Sequence, residues 1–217
     1  MTRTEVAFVA RHMPPQQFPR ILDLCCGPAR HTALLSELGY NTLGVDSNDA
    51  VIDQARKQYP ELGFVVADMR ELHKLNLTSD AVINLWHSFG YFDDQTNEDI
   101  LRQVHDVLRP GGRAIFDIYN RDHFLQRPAV EAAERGGKRI RTTRRWLGRR
   151  QQIALAYDGE IMDTFEWRLY DPSEFESVCA AAGLRTLLRC AWFDESLPPD
   201  PQHARMQFVL QRPLGEK

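Results

Sequence analysis

Through the first two thirds of the chain, short apolar runs alternate with stretches of helical spacing. Residues 20–24 form an apolar run that breaks at Cys25-Cys26-Gly27-Pro28 and leads into 29–38, where Leu34, Leu35 and Leu38 share a helical period. Gly39 suits the position after that helix, where a positive φ costs glycine nothing. The pattern predicts further strands over 42–45, 64–67, 81–86 and 113–117, with helices over 5–12, 49–58 and 97–108. Thr96 is the expected N-cap of the last helix, with Asp99 near N3, and the run Arg109-Pro110-Gly111-Gly112 closes it. Strands alternating with helices read as βαβ units around a parallel sheet.

The last third changes period. Residues 138–146, 151–157 and 161–170 read as strands joined by tight turns at Gly148 and Asp158-Gly159, which predicts an antiparallel addition. Asp171-Pro172-Ser173-Glu174 then supplies an N-cap, a proline at N1 and an acid at N3 for a helix running to 182 and ending at Gly183. Two final strands are expected over 184–193 and 206–210, around the proline-rich loop 197–201. The reading is one α/β domain over 1–217, its mostly parallel sheet flanked by helices. A small antiparallel β insertion over 135–170 follows the fifth strand.

Composition narrows the class. The 217 residues, 43% hydrophobic and 26% charged, are enough for a sizeable core and exclude wholesale disorder. No apolar run approaches the ~18 residues of a membrane helix, and Cys25, Cys26, Cys179 and Cys190 lack metal-ligand spacing. The expectations are therefore a cytoplasmic protein with no metal and no membrane partner. The net charge of −3 conceals an asymmetry: residues 135–150 hold eight Arg or Lys and no acid, leaving 19 basic against 30 acidic residues elsewhere.

The segment richest in chemistry is 21–31, ILDLCCGPARH. A strand ends in an acid, small residues follow, and a helix N-terminus opens, a layout that brings backbone N–H groups to a ligand. The second strand ends in Gly44-Val45-Asp46-Ser47, an acid placed for a ribose diol. A dinucleotide site wants three glycines around its pyrophosphate, and 25–30 holds one. A nicotinamide-dependent oxidoreductase is thus the poorer reading. The alternative is S-adenosylmethionine, which carries ribose and adenine but no phosphate.

These stations resemble the class I S-adenosylmethionine-dependent methyltransferases, in the branch reading DLCCGxGRH. The resemblance runs over about 21–120. Asp23 stands at the motif acid, Gly27 at its middle glycine, Asp46 after the second strand, Asp68-Met69 after the third and LRPGGR over 108–113. Cys25 and Ala29 replace the outer glycines. The resemblance implies a Rossmann-like, mostly parallel seven-stranded sheet and a cofactor site built from Asp23, Cys25, Gly27, Asp46, Ser47, Asp68 and Met69. It also implies that the Leu85 carbonyl receives the cofactor ammonium. S-adenosylhomocysteine would be the product. Asp68 has a second reading as a helix N-cap, and Cys25 and Cys26 read as small buried hydrophobes rather than nucleophiles.

Methyl transfer from a sulfonium is an in-line displacement, so the protein mainly positions the acceptor. The fourth strand leads into NLWHSFGYFDD, 84–94, at the sheet end where open α/β folds bind ligands. His87 is the candidate base and Tyr91 a candidate positioning group, both with ordinary packing as the alternative. Trp86, Asn120 and Arg121 are expected to face the acceptor, and His31 to lie on a helix surface. The loop lacks the paired prolines of nucleobase-amine methylases, which favours a small-molecule acceptor. The basic stretch keeps RNA or protein open as the alternative acceptor. A non-catalytic cofactor-binding module is a further alternative. The insertion reads as a lid, and only about twenty residues precede the first strand, so a second subunit is one way to close the pocket.

Overall fold

A computed structural model describes residues 2–215; the side chain of Arg135, the first cation of the basic stretch, lies outside that description. Helix α1 (Thr2–His12) precedes β1 (Arg20–Leu24), α2 (Arg30–Glu37), β2 (Asn41–Asp46), α3 (Asp49–Gln58), β3 (Gly63–Val66) and β4 (Ser79–Asn84). Then come α4 (Asp94–Val107), β5 (Leu108–Tyr119) and the short α5 (Arg121–Leu125). Strands β6 (Val130–Arg135), β7 (Lys138–Leu147), β8 (Arg150–Tyr157) and β9 (Glu160–Arg168) follow, and α6 (Pro172–Ala181), β10 (Arg185–Ala191) and β11 (Arg205–Gln211) complete the chain.

The main sheet has seven strands in the order β10-β11-β5-β4-β1-β2-β3. β11 pairs antiparallel with both β5 and β10, and the other pairings are parallel. Alternation along each strand divides the apolar residues between two faces. Leu22, Val82, Phe116 and Phe208 join Ile100, Val104 and Phe175 on one face, while Ile21, Ile83, Ile115 and Val209 meet Phe8, Val9 and Leu35 on the other. Strand order reverses at β1, which opens a crevice at the C-terminal ends of β1 and β4. The Asn84 amide bridges that crevice to the Leu24 carbonyl at 2.9 Å.

The expected sheet is present, with local differences. α4 begins at Asp94, because the Asp93 carboxylate caps it by accepting from the Thr96 N–H at 2.8 Å. Thr96 therefore lies inside the first turn rather than at the cap. A 3₁₀ turn over Met69–Leu75 and helix α5 are additions to the predicted elements. The insertion is a separate antiparallel sheet, β6-β7-β8-β9, and it starts with a strand, β6, that the pattern did not predict.

The inserted sheet is fastened at its base. The Arg168 N–H donates to the Gly90 carbonyl at 2.7 Å, and a Cβ on Gly90 would lie 2.5 Å from the Arg168 oxygen. The Arg168 guanidinium, almost wholly buried, reaches Asp94 at 2.8 Å and Glu174 at 2.6 Å, while Arg149 meets Glu174 at 2.8 Å. The basic stretch is sorted by strand alternation. On β7 exposed Arg139, Arg141 and Arg145 interleave with half-buried Ile140, Thr142, Arg144 and Trp146.

Candidate cofactor and acceptor site

The loop after β1 is built on three left-handed residues: Cys25 (φ 64°), Gly27 (φ 53°) and Ala29 (φ 64°). Cys25 and Ala29 thus adopt the backbone that glycine would supply at the same places, a conformation that costs an L-residue about 1–2 kcal/mol. The loop is held from two sides. Asp46 accepts from the Gly27 N–H at 3.0 Å and the Asn48 N–H at 2.9 Å, and the Cys26 N–H donates to the Val45 carbonyl at 3.0 Å. Beneath it, buried Asp23 accepts a 2.6 Å bond from the Thr32 hydroxyl, and burial pushes its carboxyl above the ordinary range.

Between this loop and the ends of β2, β3 and β4 lies a cavity of about 280 Å³. Five expected cofactor residues line it, namely Cys25, Asp46, Ser47, Asp68 and Met69, together with the expected positioning group Tyr91. Ser88 and Phe92 also line it, and sequence reasoning did not single them out. Asp23, Gly27 and Leu85, the other expected cofactor residues, are not among the residues that line it. A Cβ added to Gly27 would meet nothing within 4 Å, so the loop faces open space there. Asp68 lines the cavity and matches its helix-cap reading, accepting from the Arg70 N–H at 2.8 Å while its carboxylate also pairs with the Arg70 guanidinium at 2.6 Å. Burial pushes the Cys25 thiol up to about 12, which removes it as a nucleophile at neutral pH.

The end of β4 turns through two consecutive left-handed residues, Trp86 (φ 62°) and His87 (φ 59°). Asp117, fully buried on β5, holds this turn: its carboxylate accepts from the Trp86 N–H at 2.9 Å and its carbonyl from the His87 N–H at 3.1 Å. The same carboxylate takes Gln207 at 2.7 Å and both arms of Arg205. Behind Trp86, buried Glu5 of α1 accepts from the indole N–H at 3.1 Å, bonds His31 at 2.8 Å and meets Arg205 at 3.4 Å. Burial works against the Glu5 charge, but hydrogen bonds from His31 and Trp86 outweigh it and hold the carboxyl at about 2. This network was invisible in the spacing, and it corrects His31, which is buried against α1 rather than exposed on its helix.

His87 stacks on Tyr119 with ring centroids 3.9 Å apart, and its Nδ1 lies 3.8 Å from Asp117, beyond hydrogen-bond reach. Burial pushes its pKa down to about 4, so the imidazole is neutral at pH 7. Tyr119 meets Trp167 of β9 edge-on at 5.5 Å, and Trp167 meets Tyr91 at 5.6 Å. An aromatic path thus joins the β4 turn, the β5 end and the inserted sheet. Trp86 lies on the other side of the turn, between the guanidinium groups of Arg30 and Arg205 at 4.7 and 5.0 Å.

Two expected acceptor residues are engaged elsewhere. Asn120 is fully buried, capping α5 through the Asp122 N–H and donating to the Asp200 carbonyl at 2.8 Å. Arg121 is clamped to Asp171 and Glu174 at the start of α6, at 2.5 and 2.9 Å. Both hold the strand end to the next helices and do not line the cavity.

The cavity suits a nucleoside with an amino-acid tail. It offers the Asp46 carboxylate, an apolar wall from Met69 and Phe92, and an open loop backbone at the N-terminus of α2. Arg30, in the first turn of α2, makes no salt bridge among the described residues. That leaves a cation beside the loop for a carboxylate, and it is a candidate the sequence reading passed over.

Comparison with known proteins agrees with this geometry. A methyltransferase-domain family matches residues 21–112. The YqeM protein of Bacillus subtilis, which bears a methyltransferase's name, is 30% identical over 211 residues, spanning 89% of this chain and 84% of that protein. An S-adenosylmethionine-dependent methyltransferase from Clostridium acetobutylicum superposes with a TM-score of 0.84 at 17% identity, covering 98% of this chain and 92% of that one. CalS10 of Micromonospora echinaspora, an amino pentose methyltransferase solved with S-adenosylmethionine bound, gives 0.75 at 19% identity, covering 98% and 92%. The chain belongs to the class I S-adenosylmethionine-dependent methyltransferases.

Proposed function

We propose that this methyltransferase acts on a small-molecule acceptor held beneath the inserted sheet, at the C-terminal ends of β4 and β5. The observation that carries the reading is the continuous aromatic path from Tyr91 through Trp167 and Tyr119 to His87, which begins in the cofactor cavity and ends under the insertion. S-adenosylmethionine supplies, when bound, an electrophilic methyl group on a sulfonium. Asp46 and Ser47 would hold the ribose, Asp68 and Met69 the adenine edge, and Arg30 with the Leu85 carbonyl the amino-acid tail.

The work left to the protein is positioning and exclusion of water. His87, neutral and weakly basic, suits a hydrogen-bonding partner that orients the acceptor, and less a base that deprotonates it. Burial also raises the Tyr91 hydroxyl pKa, partly offset by the nearby Trp167 indole N–H, so Tyr91 stays protonated and can donate. An acceptor that arrives with its lone pair free matches both groups. The inserted sheet, fastened through Gly90 and Arg168, is read as the lid that dries this space.

CalS10, with its amino pentose acceptor, is a precedent for small acceptors on this fold. The exposed Arg139, Arg141 and Arg145 sit on the opposite face of β7 from Trp146, so a polyanion lying along them would not deliver a base to the cavity. The test uses S-adenosylmethionine labelled in its methyl group and a cell extract as acceptor source. The reading expects label in the dialysable fraction, resistant to ribonuclease and protease; label retained in RNA or protein would sink it.

A further inference from the structure

Across β7, β8 and β9, Trp146, Gln151 and Trp167 are directly opposed in register. Opposed residues share a face of the sheet, and Trp167 contacts Tyr91 and Tyr119 of the main domain. The row therefore faces the aromatic path. Gln151 is fully buried in it, yet neither its amide oxygen nor its amide nitrogen has a hydrogen-bonding partner among the described residues. The Trp167 indole nitrogen, near the Tyr91 hydroxyl but outside hydrogen-bonding geometry, is likewise buried without one, as is His87 Nδ1. Buried polar groups are ordinarily paired, and exceptions call for a specific explanation. A primary amide flanked by two indoles, with donor and acceptor both unused, is a costly way to fill a β-sheet face.

Resting on the small-acceptor reading above, we propose that Gln151 recognises a neutral, flat heterocycle whose edge presents a ring N–H beside a carbonyl, as a lactam does. The glutamine amide is the complement of such an edge: its oxygen accepts from the ring N–H while its nitrogen donates to the carbonyl. The rings of Trp167, Tyr119 and Tyr91 supply the apolar flanks that a flat ring requires. Neutrality is favoured by the charges on this face, of which Asp163 of β9 lies two rows from Gln151 and is exposed to solvent. Arg144 of β7 and Glu131 of β6 are paired with each other at 2.7 Å, which leaves neither for a charged acceptor. A sugar amine, non-planar and cationic, would meet neither feature.

The test is calorimetry on the full chain saturated with S-adenosylhomocysteine, with lumazine, hypoxanthine and 2-pyridone as flat lactam probes and glucosamine as the non-planar control. The lactams should bind and glucosamine should not. Gln151→Leu should weaken lactam binding at least about tenfold, because a hydrogen-bonding site that loses its partners discriminates strongly. The same variant should leave S-adenosylhomocysteine affinity unchanged and raise the melting temperature, since it deletes two buried unpaired atoms. A glutamine that served only to fill the sheet would not separate those readouts. Trp167→Phe, which deletes one donor and keeps a smaller aromatic ring, should weaken the lactams less. Failure of all three lactams to bind, or equal binding by Gln151→Leu, overturns the proposal. If glucosamine instead binds in a manner lost on Trp167→Ala, the small-acceptor reading stands and the lactam inference alone falls.

Discussion

His87 links the acceptor site to the stability of the whole domain through its proton. Burial holds its folded pKa at about 4, against 6.5 for the free side chain. A depressed histidine pKa means the unfolded chain binds the proton more tightly, so folding stability is complete above the unfolded pKa and is lost as pH falls toward the folded one. From that pair of values, the loss is about 1 kcal/mol between about pH 7.5 and 5.5, and about 2–3 kcal/mol by about pH 4.5. Other groups titrate in the same window, so the measurement must be a difference. His87→Asn is the suitable reference, because His87 has a φ of 59° and asparagine tolerates the left-handed region. Urea unfolding of both proteins across this range should show the gap between them narrowing by those amounts as pH falls. A constant gap would refute the buried neutral imidazole, and with it the argument that His87 orients the acceptor instead of deprotonating it.

Asp46→Ala should weaken S-adenosylhomocysteine binding by about 1–3 kcal/mol, since it removes a charge-assisted acceptor and frees the Gly27 and Asn48 N–H groups; unchanged affinity by calorimetry would sink the ribose assignment. At Ala29, where φ is 64° and the methyl is fully buried, glycine relieves backbone strain but forfeits a packed methyl, so Ala29→Gly should stay within about 1 kcal/mol of the parent. Ala29→Val, β-branched in the same conformation, should cost about 2–3 kcal/mol in urea unfolding, and equal costs for the two would show that the left-handed loop is misassigned.

Much of the fold could be read from local signals because those signals and the tertiary structure agree. β7 alternates exposed and half-buried residues along its length, and Asp158-Gly159 supplies positive φ at both turn positions. The β1 loop was equally legible, down to the two places where cysteine and alanine take glycine's backbone. The failures are places where a distant segment decides. Residues 129–134, Ala-Val-Glu-Ala-Ala-Glu, carry good helix formers and become β6 only because β7 offers an antiparallel ladder. Asn120 and Arg121 sit at a strand end, where ligand contacts are common, but α5 and α6 claim them first. Gln151 looks like an ordinary polar residue beside Gln152 until β7 and β9 place a tryptophan on each side of it.

Helix α1 matters to a cavity it does not line. Two consecutive left-handed residues at Trp86 and His87 cost about 1–2 kcal/mol each, and such a turn persists only where its surroundings over-determine it. Asp117 bonds the turn's backbone, and Glu5 bonds its indole. Arg205, buried on β11, reaches both carboxylates. Each of these charge-assisted bonds contributes about 1.5–3 kcal/mol, enough together to hold the strain. Removing Arg205 would leave both buried carboxylates without their shared cation, so it is the partner on which the group depends. Glu5 and Arg205 lie 200 residues apart in sequence, and their meeting joins α1 to β11 behind the Trp86–His87 turn. The Trp86–His87 turn is therefore set from behind the sheet by α1, which packs on α2, as well as through Tyr119 by Trp167 of the inserted strands.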